Sequence, residues 1–424
     1  MKIALITNDF LPKTGGITNV MVNVSEKLTE LKEKVYVFNS SRHNQEKLHF
    51  KILSKDSNLK GIVKYNIKIY YFLFYLFLKI LLNFRGISFK QKLKLVTFYC
   101  FYPKLVVMRL VSIKNLVSFF KKNKFEIIIS GTANIPLLYS YILSKWFKIP
   151  LITIAHGDDF LIRYPLKLKE FIIQDIQKIV VTNEIMKKLF LKIYKTNPNN
   201  VRVIHLGVNL ENSEVKESIQ ELRKKHQISP NEFIILSVSR FYPRKGFETV
   251  LKAVKLIINE YHNIPIRYLI IGSGEEEKKI RNIIKTLNLD NNVELLGSLD
   301  EKLKNEYYKL SNVFVLVPEV KKDSIEGFGI VYIEANYFKL PVIGSRSGGV
   351  RIAVENGKSG FLIDPNNVEE LKEKILFLYN NKNVCANFGD YGHNRVIKQF
   401  NWKDNALKYR ELLKTTIREF NIKS

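Results

Sequence analysis

A repeated alternation of short apolar runs with helical patterns constrains the fold of this chain more than any other feature. Runs such as residues 233–239 and 313–318 are rich in β-branched and other apolar residues. Parallel strands that are buried on both faces by helices have this composition. The sequence therefore predicts an α/β fold with doubly wound sheets.

The predicted strands fall into two series. The first series covers residues 2–7, 34–39, 126–130, 150–154, 178–182 and 201–204, and the second covers 233–239, 267–272, 292–296, 313–318 and 340–344. At 424 residues, the chain is long enough for two domains of about 200 residues each. We predict an N-terminal domain over 1–206, a C-terminal domain over 207–395, and a C-terminal helix over 396–424 that packs back toward the N-terminal domain.

Residues 326–334, EGFGIVYIE, place two carboxylates eight positions apart around a Gly-Phe-Gly turn that opens an apolar helix. We expect the backbone N–H groups of Phe328, Gly329 and Ile330 to be free at this helix N-terminus. Free N–H groups and the helix dipole favour an anion such as a pyrophosphate. The segment therefore predicts a site for a nucleotide-sugar.

Glu326 and Glu334 are expected on opposite sides of that anion, roughly 12 Å apart if the whole segment is helical. One carboxylate can then accept hydrogen bonds from sugar hydroxyls and the other from a ribose diol. The alternative is a solvated helix start with a favourable N-terminal glutamate.

Two further segments of the second half carry features of a phosphate site. Arg240 and Lys245, in SRFYPRKGF, precede a helix and can neutralise a diphosphate, although either can be an ordinary surface charge. Gly272 ends a predicted strand in IGSG, where a glycine allows a ligand close to the backbone, but G-x-G alone is a weak signal.

Candidate residues of the first half follow two predicted strands. Gly15 and Gly16 lie after the first strand, where they can bring a ligand to the backbone or form a turn without one. His156 follows strand 150–154 at a carboxyl end, the ligand side of open α/β sheets, although a lone histidine is usually structural. Asp158 and Asp159 are adjacent and lack D-x-D spacing, so we predict neither a metal nor another cofactor.

An ordered set of segments in the second half resembles the retaining glycosyltransferases of family 4, called glycosyl transferases group 1. These segments are SRFYPRKG, IGSGEEEKKIR, VELLGSLD, EGFGIVYIEANYFKLPVIGSRSGGV and NGKSGFLIDP. Weaker matches at Gly15-Gly16, 156–158 and 205–209 extend the resemblance toward the N-terminus. The resemblance implies a GT-B fold, with two doubly wound Rossmann-like domains facing a central cleft. It also implies UDP- or GDP-linked donors and transfer with retention of anomeric configuration.

The resemblance implies particular roles for the candidate residues. Arg240, Lys245 and the helix N-terminus at Gly329 would stabilise the departing diphosphate. Glu326 would orient the hydroxyls of the donor sugar, and Glu334 would bind the ribose.

In the first half, the family's matching glycine loop lies against the donor phosphate or the acceptor, which assigns this role to Gly15 and Gly16. The counterpart of His156 contacts the donor sugar near the anomeric carbon. The resemblance assigns catalytic roles to four residues in all, and these are His156, Arg240, Lys245 and Glu326.

The chain departs from the family pattern at two places. Ile352 stands where the family has an acidic residue after its Gly-Gly pair. The family's histidine is also missing from residues 126–132. We therefore expect altered contacts to the donor and to the acceptor.

The net charge of +28 is concentrated in the first half, where residues 1–205 carry 34 Lys or Arg against 12 Asp or Glu. Residues 57–125 contain fourteen Lys or Arg and no acidic residue, with aromatic runs at 70–78 and 98–102. The apolar run 69–82 is shorter than the roughly 20 residues that span a bilayer. This composition predicts a segment that faces an anionic membrane. A buried helix with solvated flanks is the alternative, and a nucleic-acid surface is a weaker one.

Cys100 and Cys385 show no paired spacing, and the first strand is too short for a signal peptide. We predict a cytoplasmic protein that is peripheral on the inner face of the cell membrane. Its acceptor would be a lipid-linked saccharide or a glycolipid, as in the assembly of polysaccharide or lipopolysaccharide. A nucleotide-sugar epimerase of the same fold and a non-enzymatic protein that binds nucleic acid are the alternative functions.

Overall fold

The computed structural model describes residues 1–11, 15–39, 50–53, 119–161, 166–210, 214–321 and 324–423. The chain divides into two compact units. The first unit is Met1–Val181, Lys187–Ile204 and Ala406–Ser424, and the second is Thr182–Met186 and His205–Asn405. Residues 57–118 of the predicted membrane-facing segment 57–125 lie outside the described residues. Among the helices that are described, none is long and apolar enough to cross a membrane.

The first unit contains, within its described residues, a seven-stranded sheet in the order β3-β2-β1-β4-β5-β6-β7. Every neighbouring pair is parallel except β2 and β3. Its strands are β1 Lys2–Thr7, β2 Lys34–Asn39, β3 Phe50–Leu53, β4 Ile127–Ser130, β5 Leu151–Ala155, β6 Lys178–Val181 and β7 Val201–Val203. The helices along this part of the chain are α1 Gly16–Glu30, α2 Ile135–Phe147, α3 Asp158–Leu161, α4 Leu166–Asp175 and α5 Glu184–Ile193, with a 3₁₀ turn at Pro198–Asn200.

The second unit contains a six-stranded parallel sheet in the order β10-β9-β8-β11-β12-β13. Its strands are β8 Phe233–Val238, β9 Ile266–Ile271, β10 Val293–Gly297, β11 Val313–Val315, β12 Val342–Ser345 and β13 Gly360–Ile363. The helices that follow α5 are α6 Ile219–Lys225, α7 Phe247–Glu260, α8 Glu277–Thr286, α9 Glu301–Leu310, α10 Ile330–Tyr337, α11 Val350–Ala353, α12 Val368–Asn380, α13 Lys382–Gln399 and α14 Trp402–Lys423, with a 3₁₀ turn at Pro243–Lys245.

The predicted fold class is confirmed, since every predicted strand is present with ends within three residues of those predicted. Strands β4 and β8 are buried along their whole length, as expected of strands covered on both faces. Two strands were missed. Strand β3 pairs antiparallel at the edge of its sheet, and β13 is a four-residue strand that begins at a glycine. Such short runs carry little periodicity from which a strand can be predicted.

Each sheet has a point where its strand order reverses direction, between β1 and β4 in the first unit and between β8 and β11 in the second. The loops that follow such a pair of strands diverge and leave a crevice at the carboxyl ends, where open α/β sheets bind ligands. The fold therefore places the segments after β8 and β11 at the expected ligand edge of the second sheet.

Candidate functional site

A buried ion pair connects the segments that follow β8 and β11. The Nζ atom of Lys245 lies 2.5 Å from Oε2 of Glu326, and a guanidinium nitrogen of Arg244 lies 3.8 Å from the same oxygen. Lys245 and Glu326 are each only 9% exposed. Burial raises the pKa of Glu326, but the charges of Lys245 and Arg244 outweigh burial and hold this pKa below its usual value. The described members of this cluster are thus two cations and one carboxylate.

The loop that carries Lys245 is held close to the end of β11 by backbone geometry. Gly246 adopts a left-handed conformation with φ of 74°, and a Cβ there would lie 2.2 Å from the carbonyl oxygen of Val317. The N–H of Glu319 donates to the carbonyl oxygen of Arg244 over 2.9 Å. A glycine is required at this point, and it allows Lys245 to reach Glu326.

The Gly-Phe-Gly turn is supported from two sides within the second unit. The N–H of Gly349 donates to the carbonyl oxygen of Glu326 over 2.8 Å. The side-chain amide of Asn183 donates to the carbonyl oxygen of Gly327 over 2.6 Å, and Asn183 is fully buried. A Cβ on Gly349 would lie 2.1 Å from that same carbonyl oxygen. Gly349, the second glycine of the SGG segment, therefore allows its loop to pack against the Gly-Phe-Gly turn.

Helix α10 begins directly after this turn, at Ile330, and Gly329 is its N-cap residue in a left-handed conformation with φ of 83°. Among the described residues, no hydrogen bond is accepted from the backbone N–H groups of Phe328, Gly329 or Ile330. The ring of Phe328 itself is buried, 5.5 Å from the ring of Phe400. Three N–H groups are thus available to an anion at the helix N-terminus, as the sequence predicts.

The helical spacing from which the separation of the two glutamates is estimated does not hold for the whole segment. It assumed a helix through all of residues 326–334, whereas the chain is helical only from Ile330. Four helical steps to Glu334 contribute about 6 Å along the axis. The rest of the separation is set by the turn.

Glu334 is 7% exposed and contacts two side chains of α9. Its Oε2 accepts a hydrogen bond from the hydroxyl of Tyr308 over 3.0 Å and lies 3.4 Å from Nζ of Lys304. Burial and the charge of Glu334 raise the pKa of Tyr308 well above its usual value, so the hydroxyl stays protonated and donates. Both contacts use Oε2, which leaves Oε1 for a ligand.

Two other predicted residues of the second unit, Arg240 and Gly272, lie in the loops that follow β8 and β9. Arg240 lies on an exposed part of the loop after β8. Gly272 follows β9, and a Cβ there would lie 1.9 Å from the carbonyl oxygen of Ser239. This glycine is therefore required by the neighbouring loop, whether or not a ligand approaches it.

The predicted residues of the first unit lie after β1 and β5. Gly15 is the N-cap residue of α1, and a Cβ on Gly16 would meet no atom of the described part of the chain within 4 Å. The ring Nε2 of His156 lies 2.9 Å from the carbonyl oxygen of Gly131. Among the described residues, no group of three or more His, Cys, Asp or Glu is arranged to hold a metal ion.

Arg244, Asn183, Lys304 and Tyr308 contact the predicted segment 326–334 but were not themselves predicted. Arg244 adjoins Lys245, and three cations in one loop give no indication of which ones will face the carboxylate. Asn183 lies more than 140 residues before the turn that it supports. Only the folded chain brings such distant residues together.

Comparisons with known proteins place the chain in one family. The family model described as Glycosyl transferases group 1 matches residues 218–395, and the model described as Glycosyltransferase Family 4 matches residues 14–212. An uncharacterized glycosyltransferase of Methanocaldococcus jannaschii is 30% identical over 280 residues, which are 64% of this chain and 70% of that protein. The chain belongs to the group 1, family 4 glycosyltransferases.

Other similar proteins differ in how much of them the chain covers. The capsular polysaccharide biosynthesis glycosyltransferase CapM of Staphylococcus aureus is 26% identical over 328 residues, which are 72% of this chain and 82% of CapM. An uncharacterized glycosyltransferase of Haemophilus influenzae is 29% identical over 53% of this chain, and the chain spans only 60% of that protein. The structure of Anabaena HepE in complex with UDP-glucose has a TM-score of 0.71 at 18% identity, covering 98% of this chain and 100% of HepE. The fold is therefore GT-B, as predicted.

The close approach of Gly349 to the turn predicts a loss of stability in Gly349→Ala. The added methyl group must displace the carbonyl of Gly327, so we expect the free energy of unfolding to fall by about 2 kcal/mol, as in other overpacked sites. Gly16→Ala is the matched control, because its methyl group enters open space at the start of a helix. Urea unfolding of both variants measures the difference. Equal stability of the two variants would show that the turn moves aside without cost.

Proposed function

We propose that this protein transfers a sugar from a UDP- or GDP-linked donor to a lipid-linked saccharide or glycolipid, with retention of anomeric configuration. The observation that carries the proposal is the buried cluster of Lys245, Arg244 and Glu326 beside three available N–H groups at a helix start. Membership of the family supports a nucleotide-sugar donor. The names of CapM and of the HepE complex are consistent with surface polysaccharide synthesis and a UDP-linked sugar.

Catalysis depends on stabilising the negative charge of the leaving group. As the bond between the anomeric carbon and the diphosphate breaks, negative charge develops on the diphosphate oxygens. Lys245, Arg244, Arg240 and the N-terminus of α10 stabilise that charge, which lowers the barrier more than it stabilises the bound donor. The acceptor hydroxyl attacks from the side of the leaving group, and its proton passes to a diphosphate oxygen.

The two glutamates bind two other parts of the donor, the sugar and the ribose. Oε1 of Glu326 accepts hydrogen bonds from hydroxyls of the donor sugar, while its Oε2 keeps Lys245 in place. Oε1 of Glu334 accepts from the ribose diol, while Tyr308 and Lys304 hold its Oε2. His156 contacts the sugar near the anomeric carbon, and Gly15 and Gly16 approach the donor phosphate or the acceptor.

Positive charge from the protein takes the place that a divalent cation has in other transferases, so the proposed reaction needs no metal. The acid-free basic and aromatic segment 57–125 supports a location at an anionic membrane, with the protein peripheral on the cytoplasmic face of the cell membrane. A lipid-linked acceptor is available at that surface.

Donor hydrolysis in EDTA tests the reaction class. A panel of UDP- and GDP-sugars, with and without membrane lipid extract, should show slow release of free sugar from one donor and faster transfer with lipid. Lys245→Ala should lower turnover about 10²-fold, because it removes stabilisation of the leaving group. Lys252→Ala removes an exposed lysine of α7 and should leave turnover unchanged. Formation of an epimeric sugar nucleotide, or a strict need for Mg²⁺ or Mn²⁺, would overturn the proposal.

The two glutamates should separate binding from transfer. Glu334→Ala should weaken binding of the free nucleotide by roughly 1.5 to 3 kcal/mol, the range for hydrogen bonds to a charged group. Glu326→Ala should preserve nucleotide affinity, because Glu326 is assigned to the donor sugar and not to the nucleotide, yet it should impair sugar transfer. Calorimetry with UDP and with GDP measures the affinities. Equal losses in both variants would mean that the two roles are assigned incorrectly.

Membrane attachment should depend on the basic segment. Each Lys or Arg near an anionic surface adds about 1 kcal/mol of attraction, so changing Lys90, Lys92 and Lys94 to Glu should reduce sedimentation with anionic vesicles. Hydrolysis of the soluble donor should change little. A control variant with Lys278, Lys285 and Lys302 changed to Glu alters the net charge equally at exposed positions of the second unit. Equal binding to neutral and anionic vesicles would contradict the electrostatic attachment.

A further inference from the structure

The carboxylate of Asp159 joins two loops at the carboxyl edge of the first sheet. Its Oδ1 accepts hydrogen bonds from the backbone N–H groups of His156 and Gly157, over 2.8 and 2.9 Å. Its Oδ2 accepts from the N–H of Ala133 over 2.8 Å. The residue is 7% exposed, so the three N–H groups provide hydrogen bonds that its buried oxygens would otherwise make with water. Asp159 therefore ties the loop after β5 to the loop after β4.

The ring of His156 is held by the same pair of loops. Its Nε2 lies 2.9 Å from the carbonyl oxygen of Gly131. A carbonyl oxygen only accepts, so Nε2 carries the hydrogen and Nδ1 of the neutral ring is an acceptor. Among the described residues, Nδ1 has no hydrogen-bond partner. The histidine thus offers an acceptor for a hydroxyl rather than a donor.

A buried lysine completes the arrangement. The Nζ atom of Lys169, on α4, donates to the carbonyl oxygen of Asp159 over 2.6 Å, and the residue is 4% exposed. Burial lowers the pKa of Lys169 to about 8, against the opposing effect of the charge of Asp159. A buried ammonium group is costly, and an apolar side chain of similar size would usually fill such a place with less loss of stability. This cost indicates that Lys169 does more than fill the core.

We propose that Asp159 and Lys169 are positioning residues that fix the loop and ring of His156, so that Nδ1 accepts a hydrogen bond from a sugar hydroxyl. The proposal rests on the function proposed above. Neither residue touches the substrate in this scheme, and both act through His156. A purely structural brace would instead affect stability and leave the ring of His156 unchanged.

Two variants separate these possibilities. Asp159→Asn preserves the shape but replaces an accepting oxygen with an NH₂ group, so a backbone N–H loses its partner. Lys169→Met preserves the length of the side chain and removes the charge. We expect kcat for donor hydrolysis to fall about tenfold or more in each, as for a misplaced catalytic group, with KM changed much less. The melting temperature of Lys169→Met should equal or exceed that of the wild type.

The ring nitrogens give a readout that does not depend on activity. In ¹⁵N-histidine NMR, the wild type should show His156 protonated at Nε2, identified by the signals missing in His156→Ala. Asp159→Asn should shift that ring toward a mixture of tautomers. Glu184→Gln is the control, since it neutralises an exposed carboxylate at the start of α5 and should preserve both the tautomer and kcat.

The outcomes distinguish the two proposals. Unchanged kcat and an unchanged ring in both variants would overturn the positioning role. A fall in stability and kcat without any change of the ring would mean a structural brace only, and would also overturn it. If the wild type hydrolyses no nucleotide-sugar but the ring still responds to Asp159→Asn, the function proposed above fails while the geometric control of His156 stands.

Discussion

The buried pair of Lys245 and Glu326 is the interaction on which the site of the second unit depends. A carboxylate that is only 9% exposed is tolerable there because two cations, Lys245 and Arg244, stand beside it. One partner follows β8 and the other follows β11, and these are neighbouring parallel strands. The pair can form only when both strands end at the same edge of the sheet, so the fold and the site share one constraint.

Close contact between loops is the second constraint, and glycines make it possible. The carbonyl oxygens of Val317, Gly327 and Ser239 occupy the space that side chains at 246, 349 and 272 would need. Each contact fixes one loop of the ligand edge against the next. The free N–H groups at the start of α10 are therefore presented by a frame whose geometry is set by backbone packing.

Each unit contains a buried carboxylate, and the partners of the two carboxylates differ. Glu326 is held by nearby cations, whereas Asp159 is held by three backbone N–H groups. The cations join the loop after β8 to the turn after β11. Backbone donors instead create a rigid junction between two loops, which suits a residue that holds a histidine ring in one orientation.

The sequence by itself determined the α/β class, all but two of the described strands, and which loop segments follow those strands. Apolar composition and loop motifs are local properties, so a local pattern is enough to predict them. The tertiary structure alone decided that Arg244 joins Lys245 on Glu326, that Asn183 supports the turn, and that Asp159 and Lys169 meet at the loop of His156. It also decided the spacing of the two glutamates. These contacts depend on strand order and on where each loop bends, and neither is encoded in any short stretch of residues.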